Sequence, residues 1–131
     1  MNQITGSILI AEDNCLLSDV LCFNLRNAGF EVTAAENGLV AIEKLKAAAF
    51  DLLITDYQMP VVDGAELCKA VRTELHLRDM PIVMCSAKGL EINVEKLKID
   101  FGLSKLVFKP FSVREIVSAV RELLVAKVPS L

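Results

Sequence analysis

The sequence predicts a doubly wound α/β domain, a five-stranded parallel sheet with helices packed on both faces. Three observations predict it. Apolar runs of strand length alternate with longer amphipathic stretches, five times over, along 131 residues. Apolar residues make up 53% of the chain, which suits strands covered on both faces better than a half-wetted antiparallel sheet. Polar or charged residues also stand at the ends of four of the five runs.

The elements follow in order. Ile8–Ala11 is the first strand and stops at Glu12 and Asp13. From Asn14 to Ala28, residues Leu17, Val20, Leu21 and Leu25 recur at helical spacing, with Asn24 as a polar interruption. Gly29 stands where a left-handed residue ends a helix. Glu31–Ala35 is the second strand, and Asn37-Gly38 turns into a helix carrying Val40, Ile42 and Leu45. Leu52–Thr55 is the third strand, closing on Asp56, with Pro60 and Gly64 punctuating the loop beyond. A helix over Ala65–Leu75 and a strand over Ile82–Cys85, ending at Ser86, come next. A helix over Ile92–Ile99 precedes the fifth strand, Leu106–Phe108, which runs into Lys109-Pro110. The last helix spans Ser112–Ala126, with Ile116, Val120, Leu123 and Leu124 on one face and a capping box of Ser112 and Glu115. Parallel crossovers are right-handed, so the helices distribute over both faces. Residues 7–127 are expected to form one domain, with no output domain in this chain.

Composition narrows the function. A net charge of −3 offers no field that attracts nucleic acid or an anionic membrane. Cys15, Cys22, Cys68 and Cys85 form no C-x-x-C pair, and His76 is the single histidine, so the thiols read as reduced and partly buried. His76 reads as a solvated residue at a helix end, and Met59 and Met84 as packing residues. No run approaches the roughly 20 apolar residues of a membrane span, and Met1–Gly6 has no signal-peptide character. The expected location is the cytoplasm.

The polar strand ends form the candidate site. Glu12 and Asp13 end the first strand, Asp56 the third, Ser86 the fourth and Lys109 the fifth. In a parallel sheet these ends share one edge, where open α/β sheets bind ligands. Three crowded carboxylates repel one another and call for a cation. Mg²⁺ fits, being hard and satisfied by one or two carboxylates plus water and phosphate oxygens, whereas no nitrogen or thiolate set for zinc is present. Lys109 adds a positive point charge and Ser86 a hydroxyl, both suited to phosphoryl oxygens. A carboxylate nucleophile, a cation and two donors make a phosphoryl-transfer site.

The pair Glu12-Asp13, the string from Thr55 to Pro60 leading to Asp63-Gly64, Ser86-Ala87 and Lys109-Pro110-Phe111 together resemble the receiver domains of two-component response regulators. The resemblance runs from Ile8 to Ala126. It implies a flavodoxin-like (βα)5 fold with strand order 2-1-3-4-5, and Asp56 as phosphoacceptor. It also implies Mg²⁺ held by Asp13 and Asp56 directly, by Glu12 through water and by the backbone carbonyl of Gln58. Ser86 and Lys109 would hold the phosphoryl group, and Lys109–Pro110 would be a cis peptide. The donor would be a sensor histidine kinase or a phosphotransfer protein, docking in part on the first helix. The readout would be a changed contact with a downstream protein target or output domain, phosphorylation-dependent dimerisation included. Such a chain is a phosphoacceptor that catalyses its own phosphorylation and dephosphorylation, not an enzyme acting on a separate substrate.

The pattern departs from the family in places. Family members usually carry Tyr or Phe where Leu106 stands, and strand alternation puts Phe108 on the same side. Lys88 and Gln58 occupy positions near the attacking water and would tune phosphoryl lifetime. Competing readings fare worse. A flavin carrier of this fold needs a hydroxyl- and glycine-rich loop where Glu12-Asp13 stands. An aspartyl phosphatase usually has a second Asp where Gln58 stands. A phosphate-independent receiver, binding partners without phosphorylation, would not need all five site residues intact.

Overall fold

The strands and helices alternate as the periodicity predicts, in a computed structural model that describes residues 6–87 and 94–127. The strands are β1 (Ser7–Ala11), β2 (Glu31–Ala35), β3 (Leu52–Asp56), β4 (Ile82–Ala87) and β5 (Lys105–Lys109). The helices are α1 (Cys15–Asn27), α2 (Gly38–Ala47), α3 (Gly64–Lys69), α4 (Val94–Phe101) and α5 (Val113–Lys127), and α3 continues into a π-helical stretch, Ala70–Glu74. All pairings are parallel, in the order β2-β1-β3-β4-β5. This is the predicted flavodoxin-like order.

Alternation sorts the strand residues into two cores. Ile8, Ile10, Leu52, Ile54, Val83 and Val107 meet Leu21 and Leu25 of α1 and Ile116, Val120 and Leu124 of α5. Leu9, Leu53, Ile82 and Met84 meet Ala41 and Leu45 of α2, Leu67 of α3 and Val71 beyond it on the other face, with Leu97 and Phe101 of α4 at its edge. Each large aliphatic side chain taken fully from water contributes about 1.5–3 kcal/mol. β3 is buried along its whole length, which is why it reads as an uninterrupted apolar run.

Helix ends follow local chemistry. The Asn14 and Asn37 side chains accept hydrogen bonds from the N–H groups of Leu17 (3.1 Å) and Val40 (2.9 Å), capping α1 and α2. Gly29, at φ +102°, follows α1 as predicted. The N–H of Glu115 donates to Ser112 Oγ at 3.2 Å, the Ser112 half of the expected box. Three expectations shift. Val20 is 44% exposed rather than core, and Ser18 and Cys22 take its place because the buried stripe is rotated by one position. α3 begins at Gly64, behind a complete capping box of Asp63 and Glu66. α4 runs on to Phe101, and the predicted start at Ile92 lies outside the described residues. His76 is exposed, as expected, and takes a left-handed φ of +56° after the π-helical stretch.

Gly64 is fixed by space. A Cβ there would lie 2.3 Å from the Asp56 carbonyl oxygen and 2.8 Å from Tyr57 Cα. We expect Gly64→Ala to cost about 1–3 kcal/mol by overpacking. At Gly29 nothing lies within 4 Å of the added atom, so Gly29→Ala should cost about 1–2 kcal/mol through its backbone conformation alone. Urea melts of both variants check this. Only Gly64→Ala should also perturb the amide signals of residues 56–58.

Candidate functional site

Strand parity brings the charged side chains together. Glu12 continues the alternation of Ile8 and Ile10, Asp56 that of Leu52 and Ile54, and Lys109 that of Val107. All three therefore leave the sheet on the α1/α5 face, at its carboxyl edge. The ladder persists to the site, because Glu12 N–H donates to Ala35 O (3.1 Å) and Tyr57 N–H to Cys85 O (2.8 Å). β3 thus lies between β1 and β4 with its terminal aspartate at the centre of the edge.

Lys109, on the edge strand β5, reaches past β4 to the acids that end β3 and follow β1. Its Nζ lies 3.1 Å from Asp56 Oδ1 and 3.3 Å from Glu12 Oε1. Glu12 and Asp56 are only 5% and 8% exposed, so their charges are largely withdrawn from water. Burial raises the pKa of both carboxyl groups. For Asp56 the hydrogen bond and charge of Lys109 and the Tyr57 N–H counter it, while Asp13 adds repulsion. For Glu12 the Asn14 N–H, which donates to Oε2 at 3.1 Å, counters it and Asp56 repels. Burial alone lowers Lys109, but Asp56 and Glu12 outweigh it and its pKa is raised. The same contacts thus read differently on the two partners. Attraction wins at the half-exposed lysine, and desolvation wins at the buried acids.

Ligand atoms of Glu12, Asp13 and Asp56 lie within 4.8 Å of one another, a spacing one small cation can bridge. The donor set is all oxygen, which suits Mg²⁺. Asp13 is exposed and lines an open cleft together with Tyr57, Gln58, Met59, Pro60 and Asp63. The cleft wall is held by local hydrogen bonds. The Asp63–Glu66 box anchors its far end, and Val62 N–H donates to Pro60 O at 2.8 Å, closing a γ-turn over Val61 (φ +70°). That φ is strained for a β-branched residue.

Ser86 sits differently. Its parity is that of Met84 and Leu106, so it points to the α2–α4 side, one residue beyond Cys85, the register partner of Asp56. Its Oγ is fully buried and, among the described residues, the one buried side-chain polar atom without a hydrogen-bond partner. Leu106 packs against the α2–α4 core, while Phe108, the register partner of Ser86, is 41% exposed. Lys109–Pro110 is cis. Lys88 lies outside the described residues. Burial pushes the thiols of Cys68 and Cys85 up to about 12, leaving Cys15 as the exposed cysteine.

Sequence reasoning missed two contributors. Asp63 and Glu66 form a D-x-x-E box that was legible at Asp63-Gly64-Ala65-Glu66. Thr55, fully buried, donates from Oγ1 to the Asp56 carbonyl at 3.0 Å, and no pattern marks that contact.

The raised Glu12 pKa has a consequence for stability. A folded-state value above the unfolded one means the folded protein holds its proton longer. Its cost is therefore absent below the unfolded glutamate value, grows as pH rises, and is complete above the folded value. We expect the stability of Glu12→Gln minus wild type, in metal-free buffer, to grow with pH across that window and then level. Urea titrations at closely spaced pH values between 4 and 8 check the sign.

Comparison with known proteins agrees with this geometry. The family model described as "Response regulator receiver domain" matches residues 8–121. The sensory transduction protein RegX3 of Mycobacterium bovis is 33% identical over 118 residues, covering 90% of this chain and 50% of that protein. The RegX3 of Mycolicibacterium smegmatis is 32% identical over the same length. The chain thus spans about half the length of the curated relatives it matches. Among solved structures, the chemotaxis protein CheY4 of Vibrio cholerae superposes with a TM-score of 0.82 at 27% identity, covering 91% of this chain and 98% of that one. The receiver domain of the Pseudomonas aeruginosa sensor histidine kinase PA1611, with a magnesium ion in its active-site cleft, superposes at 0.80 with 26% identity over 92% and 98% of the two chains. By sequence, by strand order and by the acidic cluster at the sheet's carboxyl edge, this chain belongs to the receiver domains of response regulators.

Proposed function

We propose that the chain, as one receiver unit over residues 7–127, accepts a phosphoryl group on Asp56 from a phosphohistidine and thereby switches protein–protein contacts. The observation that carries this reading is the bridge from Lys109 to Asp56 and Glu12 beside Asp13. It pairs a buried carboxylate nucleophile with a fixed cation at the edge where a parallel sheet receives ligands.

Asp56 attacks phosphorus in line, the P–N bond breaks, and the histidine leaves with the electron pair and takes up a proton. Asp56 must be ionised for this, and Lys109 favours that form against the cost of burial. Asp13 and Asp56 would hold Mg²⁺ directly, Glu12 through water, and the Gln58 carbonyl would complete the protein ligands. When bound, the ion neutralises charge on the phosphoryl oxygens. Lys109 then serves those oxygens in place of the carboxylate it bridges. The acyl phosphate adds nearly two negative charges. The unpaired Ser86 hydroxyl is the donor available to turn toward them. Attack by water on the same acyl phosphate reverses the switch, and the resemblance gives Gln58 and Lys88 the role of tuning its rate.

Leu106 offers no hydroxyl and packs, partly buried, against the core, so Ser86 is read through packing, with Phe108 beside it as the available ring. Leu16, Val20 and Phe23, exposed along one side of α1, would seat the helical surface of a sensor histidine kinase or phosphotransfer protein. The output is a downstream protein target or an output domain, or a second phosphorylated copy, in the cytoplasm.

Intact mass after incubation with acetyl phosphate and Mg²⁺ tests the acceptor. The expected result is one phosphoryl group, dependent on Mg²⁺ and absent from Asp56→Asn. No adduct, even from a phosphorylated histidine kinase, would leave a phosphate-independent binding module. A second prediction concerns the acidic cluster. Asp13→Ala should raise the Tm of the metal-free protein by roughly 2–4 °C, through relief of about 0.5–1 kcal/mol of repulsion at an exposed position. Added Mg²⁺ should raise the Tm of wild type by mass action and leave the variant unmoved. Calorimetry with and without the ion reads both effects.

A further inference from the structure

Thr55 is a polar residue at a core position. It is fully buried, and its side chain shares the parity of Leu53 on the α2–α4 side of the sheet. Its register partners, Ala11 and Met84, both belong to the apolar core on that side. A valine has the same branched shape, and a hydroxyl withdrawn from water is costly unless it finds a partner. The partner is one residue away, where Thr55 Oγ1 donates to Asp56 O at 3.0 Å. Threonine makes such bonds to neighbouring backbone most often at turns and caps, whereas this one lies inside a buried strand.

The acceptor stands where the pairing with β1 gives out. The register of β1 and β3 ends at Ala11 and Thr55, one residue before Asp56. On the β4 side it continues, and Tyr57 N–H donates to Cys85 O at 2.8 Å. The Asp56 carbonyl and the Tyr57 N–H belong to one planar peptide unit, so these two bonds hold it from opposite ends. Gly64 closes a third side. A Cβ there would stand 3.1 Å from the Asp56 carbonyl carbon, and Gly64 N–H donates to Tyr57 O at 2.8 Å. The unit cannot turn about the Asp56 Cα–C bond without losing one of these contacts. The carboxylate leaves the same Cα on the α1/α5 side, so Thr55 acts on it through the backbone, from the other face of the sheet.

We propose that Thr55 is a positioning residue for phosphoryl transfer. Its hydroxyl fixes the Asp56–Tyr57 peptide plane, and with it the aim of the acceptor carboxylate and of the Gln58 backbone that follows. The role in transfer rests on the phosphoacceptor reading above; the fixing of the peptide does not.

Two variants of the full chain separate aim from packing. Thr55→Val keeps the branched shape and removes the donor, whereas Thr55→Ser keeps the donor and removes a methyl group. The first readout is hydrogen exchange of the metal-free protein. The Tyr57 amide should exchange about tenfold faster in Thr55→Val and stay protected in Thr55→Ser, with Leu53 as the control for general loosening of β3. Unaltered Tyr57 exchange in Thr55→Val, or equal loss in both variants, would overturn the fixing.

The second readout is intact mass against time, with acetyl phosphate varied at saturating Mg²⁺ and well below every melting temperature. Acetate leaves as the phosphoryl group moves to Asp56. Thr55→Val should lower the maximal rate about tenfold without moving the half-saturating donor concentration, because misalignment acts on the transfer step. Thr55→Ser should return the rate to within about threefold of wild type. An unchanged maximal rate in Thr55→Val, or an equal loss in both variants, would overturn the role in transfer. If wild type itself takes no phosphoryl group, from acetyl phosphate or from a phosphorylated histidine kinase, the phosphoacceptor reading fails and takes that role with it, while the exchange data still decide the fixing.

Discussion

One ammonium group holds the functional edge together. Lys109, at the end of β5, reaches across to the acids that end β1 and β3, and without it two nearly buried carboxylates would face each other with little water to screen them. Removing one partner from such a set leaves charge buried and uncompensated, which is far more costly than exchanging the whole set for apolar residues. The arrangement makes poor sense as a stabilising device. It suits a site that holds opposed charges ready for a ligand at the sheet's carboxyl edge.

The rest of the fold serves that geometry. β3 is the one strand buried from end to end, and Asp56 closes it. The close approach of Gly64 to the Asp56 carbonyl, and the capped start of α3 behind it, fix the loop on the far side of the cleft. The burial that raises the carboxyl groups is produced by the same packing that gives the domain its core.

Much of this was legible in the amino-acid order. The five apolar runs, the acids after the first and third, and Lys109 after the fifth lie where local periodicity and parallel topology place them. Parity was legible too, since Glu12, Asp56 and Lys109 each fall an even number of residues from a core aliphatic on the same face. What escaped depends on tertiary contacts. Val20 reads as core by spacing, yet a rotation of α1 by one position exposes it and buries Ser18. No helical pattern announces a π-helical stretch, and nothing local says that Arg72 will meet carbonyls about thirty residues away.

The odd parity of Ser86 has a consequence for how the domain can be used. Asp56 and Lys109 leave the sheet on its α1/α5 side and the unpaired Ser86 hydroxyl on its α2–α4 side, all three at the same carboxyl edge. A donor seated against α1 and a recipient seated against α4 would touch opposite faces of the sheet. Neither would need to leave before the other arrived, so loading and delivery would overlap in time, and the throughput of such a relay would not be capped by competition for a shared surface.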